Sequence, residues 1–182
     1  MKLSDTDLSF ADRQMVEVNL MQKEEVLWVG KPIPRLFSAG SLGSFIFSLP
    51  WLAFISFWTF MAAQSSLVFA AFSIPFWCIG IGLFSTPWLG LRKQKRTVLV
   101  ITNRRAMELY PGFFGAMKSH VWPLEPGMVK SCTVRKDGSG DLILGYETRH
   151  SKNGTHTVAQ GFMNVPEVRR VEQFLYELTE EQ

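Results

Sequence analysis

The stretch that decides the fold is residues 36–91, LFSAGSLGSFIFSLPWLAFISFWTFMAAQSSLVFAAFSIPFWCIGIGLFSTPWLGL, where 56 consecutive residues include no Asp, Glu, Lys, Arg or His. A charged side chain at the centre of a bilayer costs about 2.5–3.5 kcal/mol, so a long uncharged run is what lipid requires. One helix of this length would measure about 84 Å, whereas the hydrocarbon core is about 30 Å thick. The stretch therefore predicts a hairpin of two membrane-spanning helices, near 37–61 and 67–90, with a turn at 62–66.

The positive charge of the chain is concentrated at the two ends of this stretch. Residues 1–30 carry three positive and six negative charges, and residues 97–182 carry ten of each. The remaining six cations account for the net charge of +3, and we call them the juxtamembrane basic residues: Lys31, Arg35, Arg92, Lys93, Lys95 and Arg96. Since positive residues next to membrane spans stay in the cytoplasm, both termini are predicted to face the cytoplasm. A charge distribution of this kind does not indicate nucleic-acid binding.

The segments on either side of the hairpin predict a β-rich unit that begins before the hairpin and continues after it. Residues 1–24 contain an amphipathic helix, near 5–22, which places four apolar residues roughly on one face: Phe10, Val16, Leu20 and Met21. A first strand is predicted within 25–35, closed by prolines that cannot continue a strand ladder.

Residues 92–182 complete the predicted unit with about six further strands and a helix. The strand signals fall at 97–101, 106–110, 120–122, 129–136, 142–146 and 155–163. In the fourth of these, Cys132 and Val134 are expected on the same face. A helix at 166–181 begins with a proline in its first turn and carries an apolar stripe, which we expect to cover the sheet: Val168, Val171, Leu175 and Leu178.

Small residues recur four apart in the first span, as Ala39 with Gly43 and Gly40 with Ser44, and Gly80 and Gly82 occur in the second. Small residues let membrane helices approach closely. They predict packing within the hairpin or, as the alternative, an interface between copies of the chain.

The residue types needed for catalysis or metal binding do not occur in suitable patterns. None of His120, His150 and His156 has metal-ligand spacing to another His, Cys or acid, and Cys132 fits a buried small side chain. No Gly-rich loop opens a helix in the way that phosphate binding needs. We therefore expect no catalytic residue, no metal site, no cofactor and no enzymatic activity.

Three segments resemble the bacterial pleckstrin-homology-like membrane proteins: EEVLWVGKP at 24–32, VITNRR at 100–105, and the Phe followed by a Pro-capped helix at 162–171. The resemblance implies a strongly bent sheet or barrel of about seven strands with a C-terminal capping helix and the hairpin inserted after the first strand. It also implies the bacterial inner membrane. A narrower resemblance is to the photosynthetic complex assembly protein of purple bacteria. In the second segment, residues 103–105 are interpreted as a turn, with a ligand role for the arginines as the alternative.

Two functions follow as expectations. The first is a non-catalytic scaffold or assembly factor, anchored in the bilayer, whose β-rich unit binds a membrane-protein partner or a second copy of the chain at the cytoplasmic surface. The alternative is an anionic-lipid-binding module in which the juxtamembrane basic residues contact headgroups, each cation contributing about 1 kcal/mol. A further alternative is that the juxtamembrane basic residues set the topology of the hairpin and bind no headgroup.

Overall fold

The computed structural model describes residues 8–112, 116–151 and 154–180. These divide into two compact units. The sheet unit comprises the described residues up to Pro34 and from Lys93 onward, and the helical unit is Arg35–Arg92. The mixed architecture predicted from the sequence, a helical part with an antiparallel β part, is confirmed.

The elements of the described residues are seven strands and six helices. The strands are β1 Val26–Gly30, β2 Val98–Thr102, β3 Arg105–Pro111, β4 Met117–Pro123, β5 Ser131–Val134, β6 Gly140–Ser151 and β7 Gly154–Val165. The helices are α1 Phe10–Asn19, α2 Ala39–Ser65, α3 Leu67–Ala71, α4 Ile74–Phe84, α5 Thr86–Lys95 and α6 Val168–Glu180. A four-stranded sheet has the order β1-β2-β3-β4 and a three-stranded sheet the order β5-β6-β7, and every pairing is antiparallel.

Strand β2 is the centre of the sheet unit, because all five of its residues are buried. Leu99 and Ile101 belong to a core that includes both sheets and α6, whereas Val98 and Val100 belong to a second core that includes Val16 of α1. Side chains alternate between the two faces of a strand, so a strand that is buried on both faces needs an unbroken apolar run. The sequence VLVIT supplies that run.

Helix α6 covers the larger core as its apolar stripe predicts. Val168, Val171 and Leu175 are buried, and Leu178 packs against them while remaining partly exposed. The helix begins at Val168, two residues later than predicted. The reason is that Glu167 has a φ of 48°, in the left-handed region, so the turn containing Pro166 precedes the helix.

Helix α1 is shorter than predicted and uses a different face. It spans Phe10–Asn19 and buries Asp12 and Val16, whereas Phe10 is 83% exposed and Met21, beyond the helix, is 57% exposed. The Lys31 ammonium donates to a carboxylate oxygen of Asp12 at 2.5 Å, which turns this side of the helix toward the sheet. Of the four apolar residues predicted to lie roughly on one face, Phe10 and Met21 are therefore exposed, whereas Val16 is buried.

Two segments of the sheet unit, one before and one after the helical unit in the sequence, are joined by hydrogen bonds beside β1 and β2. We call these contacts the clasp, and its residues are Glu24, Glu25, Thr102, Asn103 and Arg105. The Glu24 side chain accepts hydrogen bonds from Nε and Nη2 of Arg105 at 2.7 and 2.9 Å and from the Thr102 hydroxyl at 2.8 Å. Next to it, the backbones of Glu25 and Asn103 are joined by an N–H···O bond of 3.0 Å. The segments 24–32 and 100–105 therefore contact each other, although the helical unit lies between them in the sequence.

The three-stranded sheet departs from its prediction in two places. Val134 is 41% exposed, so it does not share the half-buried environment of Cys132, because β5 is a short outer strand that ends at that residue. Strands β6 and β7 extend to 12 residues each, well beyond the predicted 142–146 and 155–163.

In the helical unit, α2 packs against α4. The Trp51 indole donates to the Phe76 carbonyl at 3.2 Å, and the Thr59 hydroxyl lies 2.9 Å from that of Ser73. The turn predicted at 62–66 lies at the end of that range, because α2 continues through Ser65. A single residue, Ser66, both ends α2 and begins α3.

Among the glycines discussed above, Gly80 lies at the described packing surface of the helices. A Cβ on Gly80 would lie 2.6 Å from Leu52 Cδ2, whereas a Cβ on Gly40, Gly43 or Gly82 would meet no atom within 4 Å. Among these glycines, the packing of α2 against α4 therefore requires the small size of Gly80.

Two stretches of the helical unit are long and apolar enough to cross a membrane, Gly40–Ser65 and Leu67–Phe84. Only 17% and 11% of the residues in their most apolar windows are buried within the structure. A soluble core helix would be mostly buried, so burial within the described chain does not account for these apolar surfaces. Their exposed large side chains include Phe47, Phe54, Phe57, Phe60, Leu67, Phe69 and Phe72.

Candidate functional site

An open groove of about 520 Å³ lies in the sheet unit between β1 and the beginning of α6. Its lining residues are Trp28, Val29, Gly30, Pro166, Glu167, Arg170, Val171 and Phe174. Strand β1 is an outer strand of the four-stranded sheet, so one of its edges pairs with β2 while no described strand pairs with the other. The groove thus combines a strand edge with one side of a helix.

The Trp28 ring forms part of the groove lining, and one of its faces packs against the core. It stacks on buried Phe162 with ring centroids 6.2 Å apart and an interplanar angle of 25°. Phe162 in turn meets the edge of Trp122 at 6.0 Å. A Cβ on Gly30 would lie 2.4 Å from Trp28 Cη2, so only glycine at position 30 leaves this ring position free. The contacts preorganise an apolar surface.

The helical side of the groove has a charged rim. The Arg170 guanidinium and the Glu167 carboxylate form an ion pair at 2.5 Å, with side chains 82% and 64% exposed. An exposed pair of this type contributes little to stability. An apolar floor with a polar rim is the usual composition of a recognition surface for another chain.

The sequence did not indicate this groove. Trp28 and Gly30 lie in the segment 24–32 that carries the family resemblance, but Arg170 and Phe174 belong to no motif. A strand edge becomes visible only when the strand order is known. The single local signal was Trp28 two residues before Gly30, since the missing side chain of a glycine leaves room for the tryptophan ring along the strand.

The juxtamembrane basic residues are distributed over both units. Lys31 is occupied by its ion pair with Asp12, with side chains 38% and 12% exposed. Arg35 and Arg92 belong to the helical unit, and Lys93, Lys95 and Arg96 to the sheet unit.

Four of these cations form a cluster at the C-terminal end of α5. Arg92, Lys93, Lys95 and Arg96 are exposed, and within the described residues none of them has a carboxylate within 4.0 Å. Cations are favourable at this end of a helix because the helix dipole is negative there. We call these four residues the α5 cluster.

Of the two arginines at 103–105, Arg105 has a partner within the sheet unit. Burial alone would raise the pKa of Glu24, but hydrogen bonds from Arg105, the Met21 N–H and Thr102, with the charge of Arg105, lower that pKa to about 2. The pair is buried, since the Glu24 side chain has no exposed surface and that of Arg105 is 15% exposed. Arg105 therefore holds the clasp closed.

Two observations bear on the expectation that the chain has no catalytic residue and no metal site. Burial, with the hydrogen bond and the negative charge of Glu172, raises the pKa of the Cys132 thiol to about 11, so it is not a thiolate at neutral pH. Within 8–112, 116–151 and 154–180 no three His, Cys, Asp or Glu side chains gather as metal ligands. The side chains of His150 and His156 lie outside the described part.

Comparisons of the chain with family models, with curated proteins and with solved structures each returned no match.

Proposed function

We propose that this protein is a membrane-anchored, non-catalytic interaction module with a pleckstrin-homology-like sheet unit, which binds an extended segment of a protein partner in the groove between β1 and α6. The observation that carries the proposal is the outer edge of β1 beside an apolar groove. Backbone N–H and C=O groups at a sheet edge can pair with an added strand, and adjacent pockets select its side chains.

The exposed apolar helices support the anchoring part of the proposal. Each is long enough to cross a bilayer, and each leaves most of its apolar surface uncovered by the chain. The cations at both ends of the uncharged stretch favour a topology in which the sheet unit lies in the cytoplasm of a bacterium. A partner would then be engaged at the inner surface of the cytoplasmic membrane.

Site-specific photocrosslinking in cells tests the groove. A photoreactive amino acid at position 170, on the groove rim, should give one crosslinked adduct with an extended segment of another polypeptide. The matched control is position 176, because Tyr176 lies on the same helix, is 44% exposed and does not line the groove. Equal adducts from both positions, or none from position 170, would contradict groove binding.

A second candidate function is binding of anionic lipid by the α5 cluster. The observation that favours it is the exposure of four cations without carboxylate partners among the described residues. Replacing Arg92, Lys95 and Arg96 by Gln should lower retention on anionic vesicles, whereas the same change at exposed Arg104, Lys130 and Lys136 should not. Equal retention of the two triple variants, with topology unchanged, would exclude this function.

A further inference from the structure

Four polar side chains of β3 and β4 lie on one face of the four-stranded sheet. In the register of the two strands, Tyr110 is opposite Lys118 and Glu108 is opposite His120. Directly opposite residues of an antiparallel pair project to the same face. Ala106 and Trp122, the next pair on that face, contact the larger core, so the polar residues continue the inner face of the sheet beyond that core.

The positions of Tyr110 and His120 are set by contacts with the core. The Tyr110 hydroxyl lies 2.8 Å from Nε2 of His120, and the two rings stack with centroids 5.6 Å apart. His120 also stacks on Trp122, with centroids 6.1 Å apart, and Trp122 contacts buried Phe162. A row of rings therefore connects the polar face to the core and holds it in place.

Helix α5 brings a further cation to the same place. The Lys93 ammonium lies 4.0 Å from the centroid of the Tyr110 ring, a cation–π contact. The Thr97 hydroxyl donates to the Lys93 carbonyl at 3.0 Å, which fixes the end of the helix where Lys93 is located. We call this arrangement the Tyr110 cluster: Lys93, Glu108, Tyr110, Lys118 and His120.

The charges of the Tyr110 cluster favour an anion. Lys93 and Lys118 are exposed, and among the described residues neither has a carboxylate within 4.0 Å. The one acid of the cluster, Glu108, is half-buried. Burial raises its pKa, and the positive charge of Lys93 opposes that rise. Lys93, Tyr110, His120 and Lys118 therefore occupy neighbouring places on one face, with two positive charges against one acid.

We propose that the Tyr110 cluster binds a phosphate group, with Lys93 and Lys118 as the charged donors and Tyr110 and His120 as hydrogen-bonding groups. A phosphate has several strong acceptor oxygens, which suits donors approaching from different elements, and lysine binds phosphate as a point charge. The phosphate can belong to a lipid headgroup or to a soluble phosphate ester. This site is distinct from the groove and shares only Lys93 with the α5 cluster.

Binding of two phosphate probes by the purified full-length chain in nanodiscs tests the proposal. One probe is phosphatidic acid within the nanodisc, and the other is glycerol 3-phosphate added to phosphatidylcholine nanodiscs. Lys118→Gln should weaken binding of the effective probe about fivefold, the effect of one cation near a phosphate. Tyr110→Phe, which keeps the ring under Lys93, should weaken it less. Lys130→Gln, the same charge change at another exposed lysine, should leave it unchanged.

The two probes distinguish the sources of the phosphate. Binding of phosphatidic acid alone assigns the site to a lipid headgroup, and binding of glycerol 3-phosphate in neutral nanodiscs assigns it to a soluble ester. Binding of neither probe, or equal losses in Lys118→Gln and Lys130→Gln, would overturn the proposal. Photocrosslinking from position 170 is independent of these results, so failure of the phosphate site leaves the groove proposal standing.

Discussion

At the residue scale, Glu24 and Arg105 lie 81 positions apart in the chain and form the buried part of the clasp. The sequence shows both residues within the segments that carry the family resemblance, but it does not show that they contact each other. The contact depends on β1 pairing with β2 across a long insertion. The turn between β2 and β3, at Asn103 and Arg104, could be predicted because turn geometry is local, whereas the partner of Arg105 required the fold.

Replacing Arg105 by Gln should lower the free energy of unfolding by about 3–5 kcal/mol, because it leaves the Glu24 carboxylate buried without its charged partner. Thermal unfolding of the purified chain in mild detergent measures the effect. The control is Arg104→Gln, which makes the same change at an exposed neighbour and should alter stability by less than about 0.5 kcal/mol. Equal effects at the two positions would contradict a structural role specific to Arg105.

Stability should also depend on pH through Glu24. Its pKa is lowered from 4.5 to about 2 in the folded chain, so the ionised carboxylate stabilises the fold above about pH 4.5. That contribution is lost as the pH falls from about 4.5 to 2. The difference in unfolding temperature between the wild type and Glu24→Gln should therefore narrow over this range. A difference that stays constant down to pH 2 would contradict the assignment.

At the scale of elements, the hairpin of α2 and α4 packs through a glycine that composition alone does not single out. Small residues four apart in α2 were an equally good candidate, and periodicity cannot tell which face of a helix meets its neighbour. The register of α2 against α4 decides the matter, since Gly80 faces Leu52 and Trp51 while Gly82 faces open space. The first span was predicted to end near residue 61, whereas α2 ends at Ser65. The polar residues within 62–65 suggested the earlier end, but they do not prevent a helix from continuing.

Replacing Gly80 by Val should destabilise the hairpin by about 1–3 kcal/mol, because the added carbons would displace Leu52 and Trp51. Gly82→Val is the matched control on the same helix, where an added Cβ meets no atom within 4 Å. Thermal unfolding in detergent should therefore separate the two variants. Similar unfolding temperatures would mean that Gly80 is not at the packing surface.

At the scale of the whole molecule, the uncharged stretch predicts the helical segment between the first and second strands, and apolar alternation predicts the strands in their order along the chain. The grouping of the seven described strands into sheets of four and three could not be predicted, because strand order depends on contacts distant in sequence. For the same reason the groove and the Tyr110 cluster were missed. The groove joins β1 to α6, from opposite ends of the chain, and the Tyr110 cluster depends on the register of β3 with β4 and on the position of α5.

We propose that the apolar helices attach the sheet unit to the cytoplasmic face of a membrane. The most direct measurement is a pair of C-terminal reporter fusions to the full chain in a bacterium, combined with alkaline extraction of the membranes. A reporter that works only in the cytoplasm should be active, one that works only in the periplasm should be inactive, and the chain should remain in the extracted membranes. Activity of the periplasmic reporter, or release of the chain by alkali, would contradict the account.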